Sequence, residues 1–143
     1  MGTKNIRHVG IVVDNLEKAL HFYCDLLGFQ VYKQEHQKGQ WLFNLLGIKD
    51  LIYVKLKLEN YQMIELYYFP TKLDDKDEIT RQFSSGGFNH IAITVDNVEE
   101  VYEKLKKENL YIKNIPILDL SATHKLFFCR DYFGNLLEIV EEL

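Results

Sequence analysis

The sequence predicts an α+β fold built from two copies of one βαβββ module. Three observations predict it. First, RHVGIVVDN at positions 7–15 and NHIAITVDN at 89–97 share one layout: a polar residue, His, an apolar run, then Val-Asp-Asn. Second, a helical pattern follows each stretch. Third, three strand-like runs follow each helix.

The first copy supplies the detail. Leu16, Ala19, Leu20, Tyr23, Leu26 and Leu27 recur at helical spacing in LEKALHFYCDLLG. Asp14 with Glu17 reads as a capping box, and Gly28 as the stop. The strands expected next are FQVYKQE (29–35), LIYVKLKL (51–58) and YQMIELYYF (61–69). In the second copy Asp96 and Glu99 repeat the cap. Val98, Val101, Tyr102 and Leu105 repeat the stripe, and Asn109 takes the stop position. Its expected strands are LYIKNI (110–115), HKLFFCR (124–130) and NLLEIVE (135–141). The modules thus run over 5–69 and 88–143. Between them, 70–87 is charged at its start and Ser/Gly-rich at its end, the composition of a linker. The stretch 37–50 reads as a short helix or a lid.

Bulk properties narrow the function. A chain of 143 residues with 47% apolar content can bury a core and fits one domain of two small halves. The net charge is −4 with both signs mixed, and no basic block is present, which argues against nucleic acid as a partner. No apolar run approaches a membrane span, and MGTKNIRHVG lacks the apolar core of a secretory signal. Cys24 and Cys129 are far apart and outside any CxxC pattern, so they read as thiols in a reducing cytoplasm.

Strand alternation then places the chemistry. Val9, Ile11 and Val13 share one face of the first strand, while His8, Gly10 and Val12 share the other. In the second copy Ile91, Ile93 and Val95 oppose His90, Ala92 and Thr94. A very small residue beside each His leaves space in front of the sheet. In the last strand of each copy, Glu65 shares a face with Met63, Tyr67 and Phe69, and Glu138 with Leu136 and Val140. A carboxylate in an apolar run protonates or finds a cation. Two His and two Glu suit a divalent metal: Zn, Ni, Co, Mn or Fe. A lone strand His is more often a satisfied core or edge residue, and a lone Glu usually faces solvent; their paired placement favours the metal. Asp131-Tyr132-Phe133-Gly134-Asn135 reads as a tight hairpin that sets the register of Glu138.

These motifs resemble the vicinal oxygen chelate superfamily, the glyoxalase/bleomycin-resistance/dioxygenase family. RHVGIVVDNLEKALHFYCDLLGF is similar to its opening strand and helix, FNHIAITVDNVEEVYEKL to its second opening, and RDYFGNLLEIVE to its closing hairpin. The resemblance implies a cup-shaped mixed sheet around one divalent metal ion held by His8, Glu65, His90 and Glu138. Four such ligands lean toward the glyoxalase I-like and methylmalonyl-CoA epimerase-like branch. That implies a lyase or isomerase moving a proton next to a metal-bound carbonyl or enediolate, with Glu138 as base and Glu65 as its catalytic partner. A homodimer is a further expectation, with the two modules either packing within one chain or exchanging between two. An antibiotic-directed thiol transferase and a non-catalytic small-molecule binding protein are the alternatives.

Two departures shape the substrate. Glutathione-dependent bacterial glyoxalases usually carry Arg four residues after the first His and often Asn four after the first-module Glu. Here those positions are Val12 and Phe69, which argues against glutathione. The epimerases usually carry Gln at the Glu65 position and an extra acid on the preceding strand, and LIYVKLKL has none. If Ile52, Val54, Leu56 and Leu58 pack on the helix, Tyr53, Lys55 and Lys57 point into the cup. Lys55, with Tyr53, would then bind an anionic substrate; a solvated strand-edge Lys is the alternative.

Overall fold

In both copies the asparagine of Val-Asp-Asn, not the aspartate, starts the helix. In the computed structural model, which describes residues 2–46, 48–71, 87–113, 116–119 and 122–143, Asn15 and Asn97 are both extended, with φ of −151° and −146°. Their side chains accept from the backbone N–H of Lys18 and Glu100, each at 2.9 Å. Each bond satisfies an otherwise unpaired donor of the first turn. The expected caps at Asp14 and Asp96 are therefore displaced by one residue, because the helix begins one residue later than the capping-box spacing requires.

The chain divides into two compact units, Met1–Asp77 and Glu78–Leu143. The linker expected at 70–87 falls outside the described residues from 72 to 86. In the first unit β1 (Val9–Val12) leads to α1 (Leu16–Leu20), which widens into a π-helical turn at His21–Leu26. Gly28, at φ +82°, ends it. Then follow β2 (Gln30–Lys38), α2 (Gln40–Leu46), β3 (Asp50–Lys57) and β4 (Met63–Tyr68). The sheet order is β1-β4-β3-β2, with β1 parallel to β4 and the other pairs antiparallel. Within 37–50 a helix forms over Gln40–Leu46.

The helix buries one residue beyond the expected stripe. Ala19, Phe22 and Tyr23 lie at i, i+3 and i+4 and share one face, and Phe22 and Tyr23 are each fully buried. Their rings meet edge to face at 4.8 Å. Ala19 is buried beside them, while Leu16, Leu20, Leu26 and Leu27 are half-buried. This helix packs on β4, whose Ile64 and Leu66 face the core with Val54 and Leu56 of β3. Fully burying each such side chain contributes about 1.5–3 kcal/mol.

In the second unit β5 (Ile91–Thr94) leads to α3 (Val98–Lys107), then β6 (Leu118–Asp119), β7 (His124–Arg130) and β8 (Leu136–Glu142). The order β5-β8-β7-β6 repeats the first sheet, with β5 parallel to β8. α3 ends where expected, since Asn109 takes a left-handed φ of +58°. Acids lie in its first turn and Lys104, Lys106 and Lys107 in its last, complementing the helix dipole. Val98 and Leu105 are fully buried, and the Tyr102 ring meets Phe127 edge to face at 5.2 Å.

Of the strand expected at 110–115, the described residues give one bridge, Tyr111 to Cys129, while 114 and 115 lie outside the described residues. β6 covers Leu118–Asp119. Pro116, between the two pieces, has no N–H to give to a ladder.

Candidate functional site

The chemistry lies on the sheet face opposite each helix, and each unit presents one His–Glu pair. In the first unit β1 and β4 run parallel with Gly10 opposite Glu65. His8 immediately precedes β1 and reaches the same carboxylate, its Nε2 3.3 Å from Glu65 Oε2. Glu65 is buried, at 7% exposure, inside an otherwise apolar strand. Its charge is met from three sides. The Tyr67 hydroxyl donates to Oε2 at 2.5 Å, His8 approaches the same oxygen, and Lys55 Nζ lies 3.5 Å from Oε1. Lys55 is the direct cross-strand neighbour of Glu65 on β3, so register makes this ion pair.

The space expected beside Gly10 is filled by Tyr67. A β-carbon on Gly10 would lie 2.4 Å from Tyr67 Cε2, so only glycine admits the ring there. From that seat the Tyr67 hydroxyl also lies 3.5 Å from His8 Nε2. Burial, then the bond to Glu65, pushes the phenol up to about 12, so it stays a donor at neutral pH. Strand parity already places Tyr67 on the face of Glu65. Its role was legible from that and the opposing glycine, but only once the β1–β4 register was known.

Beside this pair lies a second polar cluster. The Tyr53 hydroxyl donates to Glu35 Oε2 at 2.5 Å, Gln37 Nε2 donates to the same oxygen at 2.8 Å, and Lys33 Nζ lies 2.5 Å from Oε1. The bond from Lys33, then that from Tyr53, hold the Glu35 carboxyl down at about 2. Tyr53 does lie on the face of Lys55, but its hydroxyl is committed to Glu35. Sequence reasoning passed over Glu35, whose signal is the β2–β3 register that sets it opposite Tyr53.

In the second unit Ala92 stands opposite Glu138, as Gly10 does opposite Glu65. His90 Nε2 lies 3.0 Å from Glu138 Oε2, and His90 Nδ1 lies 2.7 Å from Asn89 Oδ1. With Nδ1 donating to that amide oxygen, a neutral ring turns its Nε2 lone pair toward the carboxylate. Two acceptors at 3.0 Å require a proton or a cation between them. A metal-binding His donates its other ring N–H in this manner, so the donor set fits a divalent cation. Phe128, opposite Glu138 on β7, meets the His90 ring edge to face at 5.5 Å. Among the described residues no group of three or more His, Cys, Asp or Glu side chains converges as a ligand set; each unit offers its pair.

The hairpin between β7 and β8 fixes where Glu138 falls. Asp131 is buried and accepts from the N–H groups of Phe133 and Asn135, both at 2.9 Å, and from Asn135 Nδ2 at 2.8 Å. Gly134 takes φ +84° and its carbonyl accepts from Arg130 Nη1 at 2.7 Å. Other titratable groups stand apart from the pairs. His21 meets Asp25 at 2.8 Å and His36 meets Asp50 at 3.2 Å. His124 opens β7 and lines a shallow concavity with Val140 and Glu142. Cys129 is buried, and burial raises its thiol to about 12.

The sequence pattern of the Glyoxalase/Bleomycin resistance protein/Dioxygenase superfamily matches residues 5–139. The uncharacterized protein YwkD of Bacillus subtilis is 27% identical over 125 residues, covering 87% of this chain and 88% of that protein. A Synechocystis protein named a probable lactoylglutathione lyase is 26% identical over 135 residues, covering 94% and 92%. The crystal structure of a glyoxalase family protein from Bacillus cereus superposes with a TM-score of 0.88 at 21% identity, covering 100% of this chain and 97% of that one. Repeated modules, mixed sheets and sequence pattern agree: the chain belongs to the Glyoxalase/Bleomycin resistance protein/Dioxygenase superfamily.

Proposed function

We propose that this protein is a metal-dependent lyase or isomerase of glyoxalase I type, transferring a proton next to a carbonyl of a small oxygenated substrate. The observation that carries the reading is the repetition of one His–Glu contact at one register in both sheets: His8 with Glu65 at 3.3 Å and His90 with Glu138 at 3.0 Å. Each pair offers the imidazole and carboxylate donors that a divalent cation takes. His8, Glu65, His90 and Glu138 are the residues that would hold such a cation, which would supply Lewis-acid polarisation of the substrate carbonyl.

The chain's own residues divide the remaining work. Glu138 is partly exposed, and His90 is the partner its carboxylate meets. It is the base that removes the proton from the substrate carbon. Glu65, gripped by Tyr67, His8 and Lys55, is the more constrained carboxylate. Lys55 supplies a positive charge on the same face and receives an anionic substrate oxygen. The Synechocystis relative's name, that of a lyase, supports the class. Val12 and Phe69, where glutathione-dependent relatives differ, favour a co-substrate other than glutathione, or none.

The test is metal content followed by exchange. Protein purified without chelator is assayed for bound divalent metal and titrated with Mn²⁺, Ni²⁺ and Zn²⁺. Less than about a tenth of an equivalent, with no uptake on titration, sinks the reading in favour of a metal-free binding protein. With metal bound, deuterium exchange at the carbon beside the carbonyl of small 2-oxo compounds is the diagnostic activity.

A further inference from the structure

The two carboxylates of the repeat are equivalent in register but not in surroundings. Glu65 has Lys55 opposite it on β3 and Tyr67 two residues on. Glu138 has Phe128 and Val140 at those positions, neither able to donate a hydrogen bond. The small residues differ in the same sense. Gly10 leaves room for the Tyr67 ring, which a β-carbon would meet at 2.4 Å, while the second copy carries Ala92 and has no ring to admit. Two of these differences, Tyr67 for Val140 and Gly10 for Ala92, thus serve one contact, the bond from Tyr67 to Glu65.

We infer that Tyr67, seated on Gly10, is a positioning residue that sets the orientation of Glu65 toward His8, a support that the equivalent Val140 does not give the second pair. The physical case is short. Tyr67 donates to Glu65 Oε2, the oxygen that faces His8 Nε2, and its own hydroxyl lies 3.5 Å from that nitrogen. A carboxylate on a flexible side chain needs such a bond to present one oxygen in one direction. Supporting groups of this kind typically change metal affinity by about 10–100-fold when lost. This inference rests on the metal-binding reading above for its affinity readout, and has a second readout that needs no metal.

The experiment is a double-mutant cycle of Tyr67→Phe and Gly10→Ala, read by Mn²⁺ titration of the full chain. Each single variant should weaken Mn²⁺ binding by about tenfold, and the double variant should be no weaker than either, because both remove the same bond. Val140→Ala, at the equivalent place in the second copy, should bind as the parent does. Wild-type affinity in Tyr67→Phe, or losses that multiply in the double variant, would overturn the inference. If Gly10→Ala fails to fold, Tyr67→Leu replaces it and must match Tyr67→Phe. If the parent takes up no Mn²⁺, the functional reading falls, and the ring ¹⁵N resonances of His8 in metal-free protein decide this point alone. Like displacements in Tyr67→Phe and Gly10→Ala uphold it; unchanged His8 resonances refute it.

Discussion

Glu65 and Glu138 stand at the same register of their sheets, opposite Gly10 and Ala92, yet the first is met by three side chains and the second by His90. A base must give up its contacts to take a proton, and the less encumbered carboxylate does so at lower cost. Glu138→Gln should lower substrate hydrogen exchange by about 10²–10⁴-fold, the range for a general base. Glu65→Gln should reduce it less while weakening metal binding. Comparable exchange in Glu138→Gln and the parent would remove Glu138 as base.

Lys55 carries the substrate side of the proposal. Lys55→Met removes a positive charge beside Glu65, so the effect on an anionic substrate should fall on KM, with kcat reduced far less. The rise should be about tenfold, the worth of a hydrogen bond to a charged group. A kcat effect without a KM effect would place Lys55 in support of Glu65 instead.

Capping predicts a stability pattern. Asn15→Ala and Asn97→Ala should each cost about 1 kcal/mol in urea unfolding. Asp14→Ala, at an exposed position one residue earlier, should stay within about 0.5 kcal/mol. Equal losses at Asp14 and Asn15 would contradict the observed caps.

The hairpin should be more sensitive. Asp131→Ala deletes an acceptor of three bonds and leaves two backbone donors near the turn without it. A loss of about 3 kcal/mol is expected. A shift in the β7–β8 register would also carry Glu138 to the other face, so surviving folded protein should show altered amide contacts between Phe128 and Glu138.

Glu35 gives a pH prediction with a defined sign. Its carboxyl is held down at about 2 against an ordinary value of 4.5, chiefly by Lys33 and then Tyr53. The stabilisation is therefore complete above the ordinary value and disappears as pH falls toward 2. Between those limits the parent should lose stability on acidification faster than Glu35→Gln, in thermal melts stepped through that range. Parallel curves would show that the cluster does not hold in solution.

The repeat, the helices, the hairpin turn and five of the six strands that follow them were legible because each rests on a local rule: period, stop or positive-φ glycine. The caps fall one residue beyond the aspartates, at Asn15 and Asn97. Phe22 joins the core at the i+3 place from Ala19, beyond the stripe the leucines mark. Of 110–115, the described part contributes a single bridge, Tyr111 to Cys129. At the candidate site, parity singled out His8, Glu65, His90 and Glu138, and the sheets bring His8 to Glu65 and His90 to Glu138. Which groups hold those carboxylates depends on cross-strand register, so Tyr67 and Glu35 became visible only with the sheet assembled.

β2 is an edge strand of the first sheet, nine residues long and mostly exposed. Such a border offers a ready template for pairing with a like strand. Between Val31 and Lys33 the ladder slips, leaving Tyr32 as an extra residue, and Lys33, Glu35 and Lys38 alternate along the same border. A slip bends the strand away from flat pairing, and each charge must shed water before a neighbour can dock. The same residues that hold the Glu35 cluster thereby guard the sheet against adding strands without limit. Neutralising Lys33 and Glu35 together should therefore show first as turbidity on concentration, before any change in unfolding temperature.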